Sequence, residues 1–384
     1  MKHRYTLSAI VTGLALAAAT AAAQAQIKIG VVTSNTGPVA LIGIPQKNSV
    51  ALLPNEIGGQ KVEYIAYDDG SDPTATVTAV KKLITEDKVD AIVGPSSSPN
   101  AMAVLDFIAE AKMPLLAPVG TIAIVLPMDD KRRWVFKTTQ NDGLVANALI
   151  KHMVAHNVKT LGFIGTGDTF GETWHKVMTD LLSKTDIKIV ANERFKRPDT
   201  SVTGQALRVL AAKPDAVLVA APGGPAVLPE ATLVDMNYKG TIYQTHGAAL
   251  NEFIKLGGKK VEGTILGGSV MLVPNDIPDS NPAKKVALDY INAYKQRYGN
   301  EPATFGGNMY DAGLLLQRAI PDALKAAKPG TTEFRVALRD ALEKVKELPG
   351  TQGIYNMTAE DHSGFDERGV ELVTVKDGKW ALAK

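Results

Sequence analysis

Val93-Gly94-Pro95-Ser96-Ser97-Ser98-Pro99 is the stretch from which the rest of the chain can be read. It follows an apolar run, Ala91-Ile92-Val93, that has the length and composition of a buried strand. The Gly-Pro pair breaks that strand, and three hydroxyls follow. Beyond Pro99 the apolar residues Ala101, Val104, Leu105, Ile108 and Ala109 fall on one face of a helix. Strand, polar turn and helix in that order make an α/β unit. In an open α/β sheet, ligands sit outside the carboxyl ends of the strands. Free N–H groups at the helix start, together with hydroxyls, suit an anion. The same residues also fit a plain helix cap, with Ser98 at the N-cap and Pro99 at the first helical position.

Strand-and-helix alternation extends in both directions. Strands are expected at Ile27 to Val32, Val62 to Tyr67, Val89 to Gly94, Leu115 to Ala117 and Trp134 to Thr138. They continue at Leu161 to Ile164, Ile187 to Ala191, Ala216 to Ala220 and Ile242 to Gln244, with helical segments between most of them. Asp72-Pro73 opens one such helix, which runs to about Glu86. This order predicts parallel sheets with helices on both faces. A chain of 384 residues implies two lobes. No Gly/Ser or Pro-rich linker separates them, so several short crossovers and an interlobe cleft are expected.

The first residues address the chain. Lys2, His3 and Arg4 precede an apolar stretch from Leu7 to Ala23, and Ala23-Gln24-Ala25 is a small-x-small cleavage site. Residues 1–25 are therefore read as a secretory signal peptide, which places the mature protein in the periplasm. Without Lys2 and Arg4, basic and acidic residues balance at 40 each. That neutrality argues against a nucleic-acid partner. The sequence has no Cys, which excludes disulfides, thiolate metal sites and Cys nucleophiles.

Several segments together carry a resemblance. Ile27-Lys28-Ile29-Gly30-Val31, Thr36-Gly37-Pro38-Val39-Ala40, Tyr67-Asp68-Asp69 and Asp72-Pro73 lie in the first part of the chain. Val93 to Ser98, Ala117-Pro118-Val119-Gly120-Thr121, Asp168-Thr169-Phe170-Gly171 and Met309-Tyr310-Asp311-Ala312 follow in order. The chain resembles the leucine/isoleucine/valine-type periplasmic binding proteins of ABC importers. The resemblance implies the two-lobe type I periplasmic binding fold, with three interlobe crossovers placed near residues 140, 270 and 348. Residues 26–140 with 271–347 would form the first lobe, and 141–270 with 348–384 the second. It also implies a small-molecule carboxylate ligand, ABC permease subunits as partners and no cofactor; the chain is read as a monomer.

Site positions follow from the same resemblance. In the first lobe they fall on Ser98 with Ser97 beside it, on Val119 and Thr121, and on the apolar Ile42. In the second lobe they fall on Phe170, on Pro222 and near His246. The acid that would grip an amino acid's ammonium is missing from Tyr243-Gln244-Thr245-His246-Gly247. Burying an ammonium without a carboxylate is costly. The expected ligand is therefore an aromatic or apolar carboxylic acid, with Phe170 at the cleft rim for stacking and His246 for a distal polar group. A branched-chain amino acid is the alternative. A ligand-sensing subunit for a separate membrane receptor is another.

Other chemistries fit less well. Ser97 or Ser98 with His246 could be drawn as a hydrolase dyad, but the Gly-x-Ser-x-Gly elbow is absent. Gly165-Thr166-Gly167 lacks the next glycine of a dinucleotide fingerprint at its proper spacing. Asp68, Asp69 and Asp72 do not have EF-hand spacing.

Overall fold

The computed structural model describes residues 26–383; the expected signal peptide lies outside the described residues. The chain opens with β1 (Ile27–Thr33), α1 (Ala40–Val50), the short β2 (Glu56–Ile57) and β3 (Gln60–Asp68). It continues through α2 (Pro73–Thr85), β4 (Ala91–Val93), α3 (Ser98–Glu110), β5 (Leu115–Ala117) and β6 (Val135–Lys137). These strands form a sheet in the order β2-β3-β1-β4-β5-β6, parallel except for the β2–β3 pair.

The chain then crosses into a second sheet. Its first units are α4 (Asp142–Ala155), β7 (Thr160–Thr166), α5 (Thr169–Leu182), β8 (Lys188–Phe195), α6 (Thr203–Ala211) and β9 (Ala216–Ala220). Next come α7 (Val227–Asp235), β10 (Thr241–Gln244), α8 (Asn251–Gly257) and β11 (Ile265–Gly268). The chain returns to the first lobe through α9 (Pro282–Tyr298), α10 (Thr304–Ala326), α11 (Thr332–Leu342) and the pair β12 (Leu348–Pro349) and β13 (Ile354–Tyr355). It ends in the second sheet as the antiparallel hairpin β14 (Glu371–Lys376) and β15 (Lys379–Leu382). The second sheet runs β15-β14-β11-β10-β9-β7-β8.

Both lobes thus share one doubly wound pattern, β3-β1-β4-β5-β6 and β8-β7-β9-β10-β11. Such sheets are covered by helices on both faces, so their strands read as continuous apolar runs. β9, Ala-Val-Leu-Val-Ala, is buried at every position. The strand order reverses beside β1 in one lobe and beside β7 in the other. Those are the switch points where loops diverge and a crevice opens.

The third crossing is displaced from its expected place near 348. Tyr355, Met357 and Phe365 pack in the first-lobe core with Ile27, Ile29 and Phe136. His362 stacks on Phe136, and its carbonyl accepts the N–H of Lys137 at 2.8 Å. Residues 348–365 are therefore held by the first lobe, and the chain leaves it between Phe365 and Glu371. β12 and β13 are two residues each, too short to give an apolar run by which this could be read in advance.

Candidate functional site

The first-lobe wall grows out of the turn after β4. Gly94 has φ +118°, and a Cβ there would lie 2.0 Å from the Val32 carbonyl oxygen, so only glycine fits. The turn then presents three buried serines. Ser96 Oγ accepts the Ser34 N–H at 2.9 Å and ties the turn to the end of β1. Ser97, not Ser98, is the N-cap of α3; it is extended, and its side chain makes no capping bond. Ser98 is the first helical residue, and its hydroxyl accepts the Thr121 N–H at 3.3 Å.

The second-lobe wall comes from loops after β7, β8, β9 and β10. Asp168 caps α5 by accepting the N–H groups of Phe170 and Gly171 at 2.9 and 3.4 Å. That cap starts the helix at Thr169 and turns Phe170 toward the first lobe. Phe170 is not a rim residue. It is buried, with its ring centroid 6.0 Å from His246 and 6.5 Å from Trp174. Its polar neighbours in sequence cap and solvate the helix while the ring turns inward.

These two walls close on a tight cavity of about 20 Å³. Ile42, Ser97, Ser98, Val119, Phe170, Pro222 and His246 all line it. Thr121 does not. Its hydroxyl accepts the Ala123 N–H at 3.2 Å and meets Thr173 Oγ1 across the cleft at 2.8 Å. Thr121 therefore joins the lobes in this closed form instead of facing the cavity. Gly120 lies at the same seam and has no room for a side chain: an added Cβ would lie 2.5 Å from Phe170 Cε2 and 3.0 Å from His246 Nε2.

Sequence reading missed Arg197, which also lines the cavity. Its Nε donates to Asp168 Oδ2 at 2.5 Å, while its buried Nη2 has no partner. The only signal was a basic residue, in Lys196-Arg197-Pro198, directly after β8. Phe305, from α10, is a second lining residue that sequence did not single out.

Buried charges stand behind the cavity. Lys137 donates to the carbonyl oxygens of Thr139 and Gln140 at 3.3 and 2.5 Å. Asp142 accepts the Ile122 N–H at 2.9 Å and approaches His246 Nε2 to 4.0 Å. Burial pushes the Asp142 carboxyl up and the Lys137 ammonium down, and each partly offsets the other's shift. Burial, helped by the Lys137 charge, lowers His246 to about 3, so its ring is neutral near pH 7. Neither ring nitrogen has a partner. A neutral imidazole can donate from one nitrogen and accept at the other.

The aspartates near the start of the chain are already committed to the protein. Asp69 accepts from the hydroxyls of Ser34 and Thr76 and the amide of Asn100, and Asp72 caps α2. Among the described residues no group of three or more metal-ligating side chains converges, and no helix is long and apolar enough to cross a membrane.

Comparison with known proteins places this architecture in a family. Residues 26–379 match the periplasmic binding protein family, and the chain belongs to it. A Leu/Ile/Val-binding protein, BraC3, from Rhizobium johnstonii is 27% identical over 86% of this chain and 87% of its own. A crystal structure of an extracellular ligand-binding receptor from Rhodopseudomonas palustris HaA2 is 45% identical. It superposes with a TM-score of 0.91, over 94% of this chain and all of the other. An ABC-transporter solute-binding protein from R. palustris, solved with benzoate, shares the fold at 20% identity and TM-score 0.79, over 93% and 95% of the two chains. The family is periplasmic, and its members bind substrates without transforming them.

Proposed function

We propose that this protein is the solute-binding component of an ABC importer and captures an aromatic or apolar carboxylic acid between its lobes. The observation that carries this reading is the unpartnered Arg197 Nη2 in a cavity whose lining includes no Asp or Glu. A guanidinium with a free N–H is a ready partner for a carboxylate. The unused Ser97 hydroxyl and the first N–H groups of α3 stand nearby on the opposite wall. Ile42, Val119, Phe170, Pro222 and Phe305 supply an apolar enclosure for the ligand body. Residues 1–25 would direct export and be removed. Closure around the ligand would create the form that a membrane permease recognises, since only the closed form joins both walls.

A second reading, a branched-chain amino acid, rests on one observation besides the relative's name. Asp142 Oδ1 is buried and unpartnered behind His246. It would serve an ammonium only if the imidazole moved aside. Calorimetry with benzoate, 4-hydroxybenzoate and leucine separates the readings. Benzoate-like acids should bind at least ~10-fold tighter than leucine, the equivalent of about 1.4 kcal/mol. Tight leucine binding, with neither aromatic acid bound, would show that Asp142 rather than Arg197 sets the specificity.

A further inference from the structure

His246 and Phe305 line two chambers, not one. Beyond them, toward the crossovers, lies a second, water-sized space of about 10 Å³. Its wall carries three side-chain amides, from Gln140, Asn308 and Gln352. Each has its NH2 committed to a backbone carbonyl. Gln140 Nε2 donates to Gly369 O at 2.9 Å, Asn308 Nδ2 to Thr138 O at 2.7 Å and Gln352 Nε2 to Thr304 O at 3.1 Å. A backbone carbonyl only accepts, so the amide orientation is fixed by its partner. The amide oxygens are left as the ends that can receive a donor. Ser269 Oγ and the His246 ring complete the wall; the hydroxyl and both ring nitrogens are buried and unpartnered, with Nε2 on the side of Gly120 and Asp142. In native proteins such buried polar atoms usually have partners, and a lone hydroxyl and an unpartnered imidazole at one space point to an occupant.

The charge of that occupant is constrained. The buried Lys137 ammonium donates to the backbone carbonyl of Gln140 at 2.5 Å, directly behind the wall. The lining itself holds no carboxylate to pair a cation, and the nearby Asp142 is already set against Lys137. An anion would face three carbonyl oxygens. A neutral hydroxyl satisfies both sides, because it donates to an amide oxygen or His246 and accepts from Ser269 or the imidazole N–H.

We propose that this second chamber reads an uncharged hydroxyl on the end of the ligand remote from its carboxylate. The inference rests on the carboxylate reading above, and it turns Ser269 and His246 into specificity-determining residues. The test is calorimetry on the full mature chain with 3-phenylpropanoate, its 4-hydroxy derivative and its 4-aminomethyl derivative. The hydroxylated acid should bind roughly 10- to 100-fold tighter than the unsubstituted one, and the aminomethyl acid weakest of the three. In Ser269→Ala the advantage of the hydroxyl should shrink by roughly 10-fold. The variant's melting temperature should hold or rise, because an orphan hydroxyl is removed. Equal affinity for the first two acids, or preference for the aminomethyl acid, would overturn the proposal. So would a hydroxyl advantage that persists in full in Ser269→Ala and His246→Phe. If none of the three acids binds, it is the carboxylate reading that fails, and this inference falls with it. The wild-type comparison stands even if a variant fails to fold.

Discussion

The two walls of the cleft are built in different ways. The polar part of the first-lobe wall is a local construction: one strand end, one glycine-dependent turn and one helix start bring Ser96, Ser97 and Ser98 together within three consecutive residues, while the apolar Ile42, Val119 and Phe305 come from elsewhere in the chain. The second-lobe wall is assembled from four separate loops, which deliver Phe170, Arg197, Pro222 and His246 from positions spread over more than seventy residues of chain. The first wall offers backbone N–H groups and hydroxyls, which tolerate many anions. The second offers a guanidinium, an aromatic ring and an imidazole, each with its own geometry. The general affinity for an acid is thus shared between the walls, whereas discrimination among acids rests mainly with the second.

Removing Arg197 should break this division most severely. Arg197→Met deletes a charge-assisted hydrogen bond worth about 1.5–3 kcal/mol, or roughly a 10- to 150-fold loss in affinity for a carboxylate. Arg197→Lys keeps the charge but not the fork, so calorimetry should place it between wild type and Arg197→Met. Loss of no more than twofold in the methionine variant would move the anion site wholly to the first wall.

Forcing the walls apart should cost somewhat less. Gly120→Val introduces methyl groups where even a Cβ already meets Phe170 and His246. That overpacking arises only when the lobes close, and such clashes cost about 1–3 kcal/mol. Ligand affinity should fall by roughly 5- to 150-fold while the melting temperature of the ligand-free protein changes little. Small-angle scattering should show a smaller radius of gyration on saturation in wild type, and a weaker contraction in the variant. An unchanged affinity would mean that closure does not bring Gly120 against Phe170.

The smallest effect concerns acid. His246 has a folded pKa of about 3, below its ordinary 6.5, so between those values the unfolded chain binds the extra proton. The stability it protects is therefore complete above pH 6.5 and declines as pH falls. By pH 5 the loss is about 2 kcal/mol. Asp142, whose carboxyl is pushed up by burial, acts in the opposite direction, as its folded form takes up a proton first. Comparing wild type with His246→Asn in chemical denaturation from pH 7 to 4.5 isolates the imidazole. The variant should gain on wild type as pH drops; parallel curves would show that His246 reaches water before the protein unfolds.

How much of this was legible in the chain differs between the walls for the same reason. Strand, glycine turn and helix start are local patterns, so β4, α3 and the serines between them were readable, as were β1, β5, β7 and β9 as apolar runs. Phe170, Pro222 and His246 came from resemblance, position by position. β11, ending in two glycines, and the hairpin β14–β15, with its Lys and Glu residues, carry no such run and went unread. Neither Arg197 nor the rear chamber had any distinguishing local mark. Lys196-Arg197-Pro198 looks like any solvated turn until Asp168 takes its Nε and burial leaves its Nη2 without a partner.

The sequence by itself determined the fold class, because periodicity and turn chemistry act between near neighbours and are written into the order of residues. Only the tertiary structure decided which side chains are left without partners. Whether Arg197, Ser269 or His246 is satisfied depends on what other segments bring to it, and on the water that closure removes. The chain also stays with the first lobe as far as Phe365, because Tyr355, Met357 and Phe365 find their core there. That, too, is a matter of long-range packing, which no stretch of sequence records on its own.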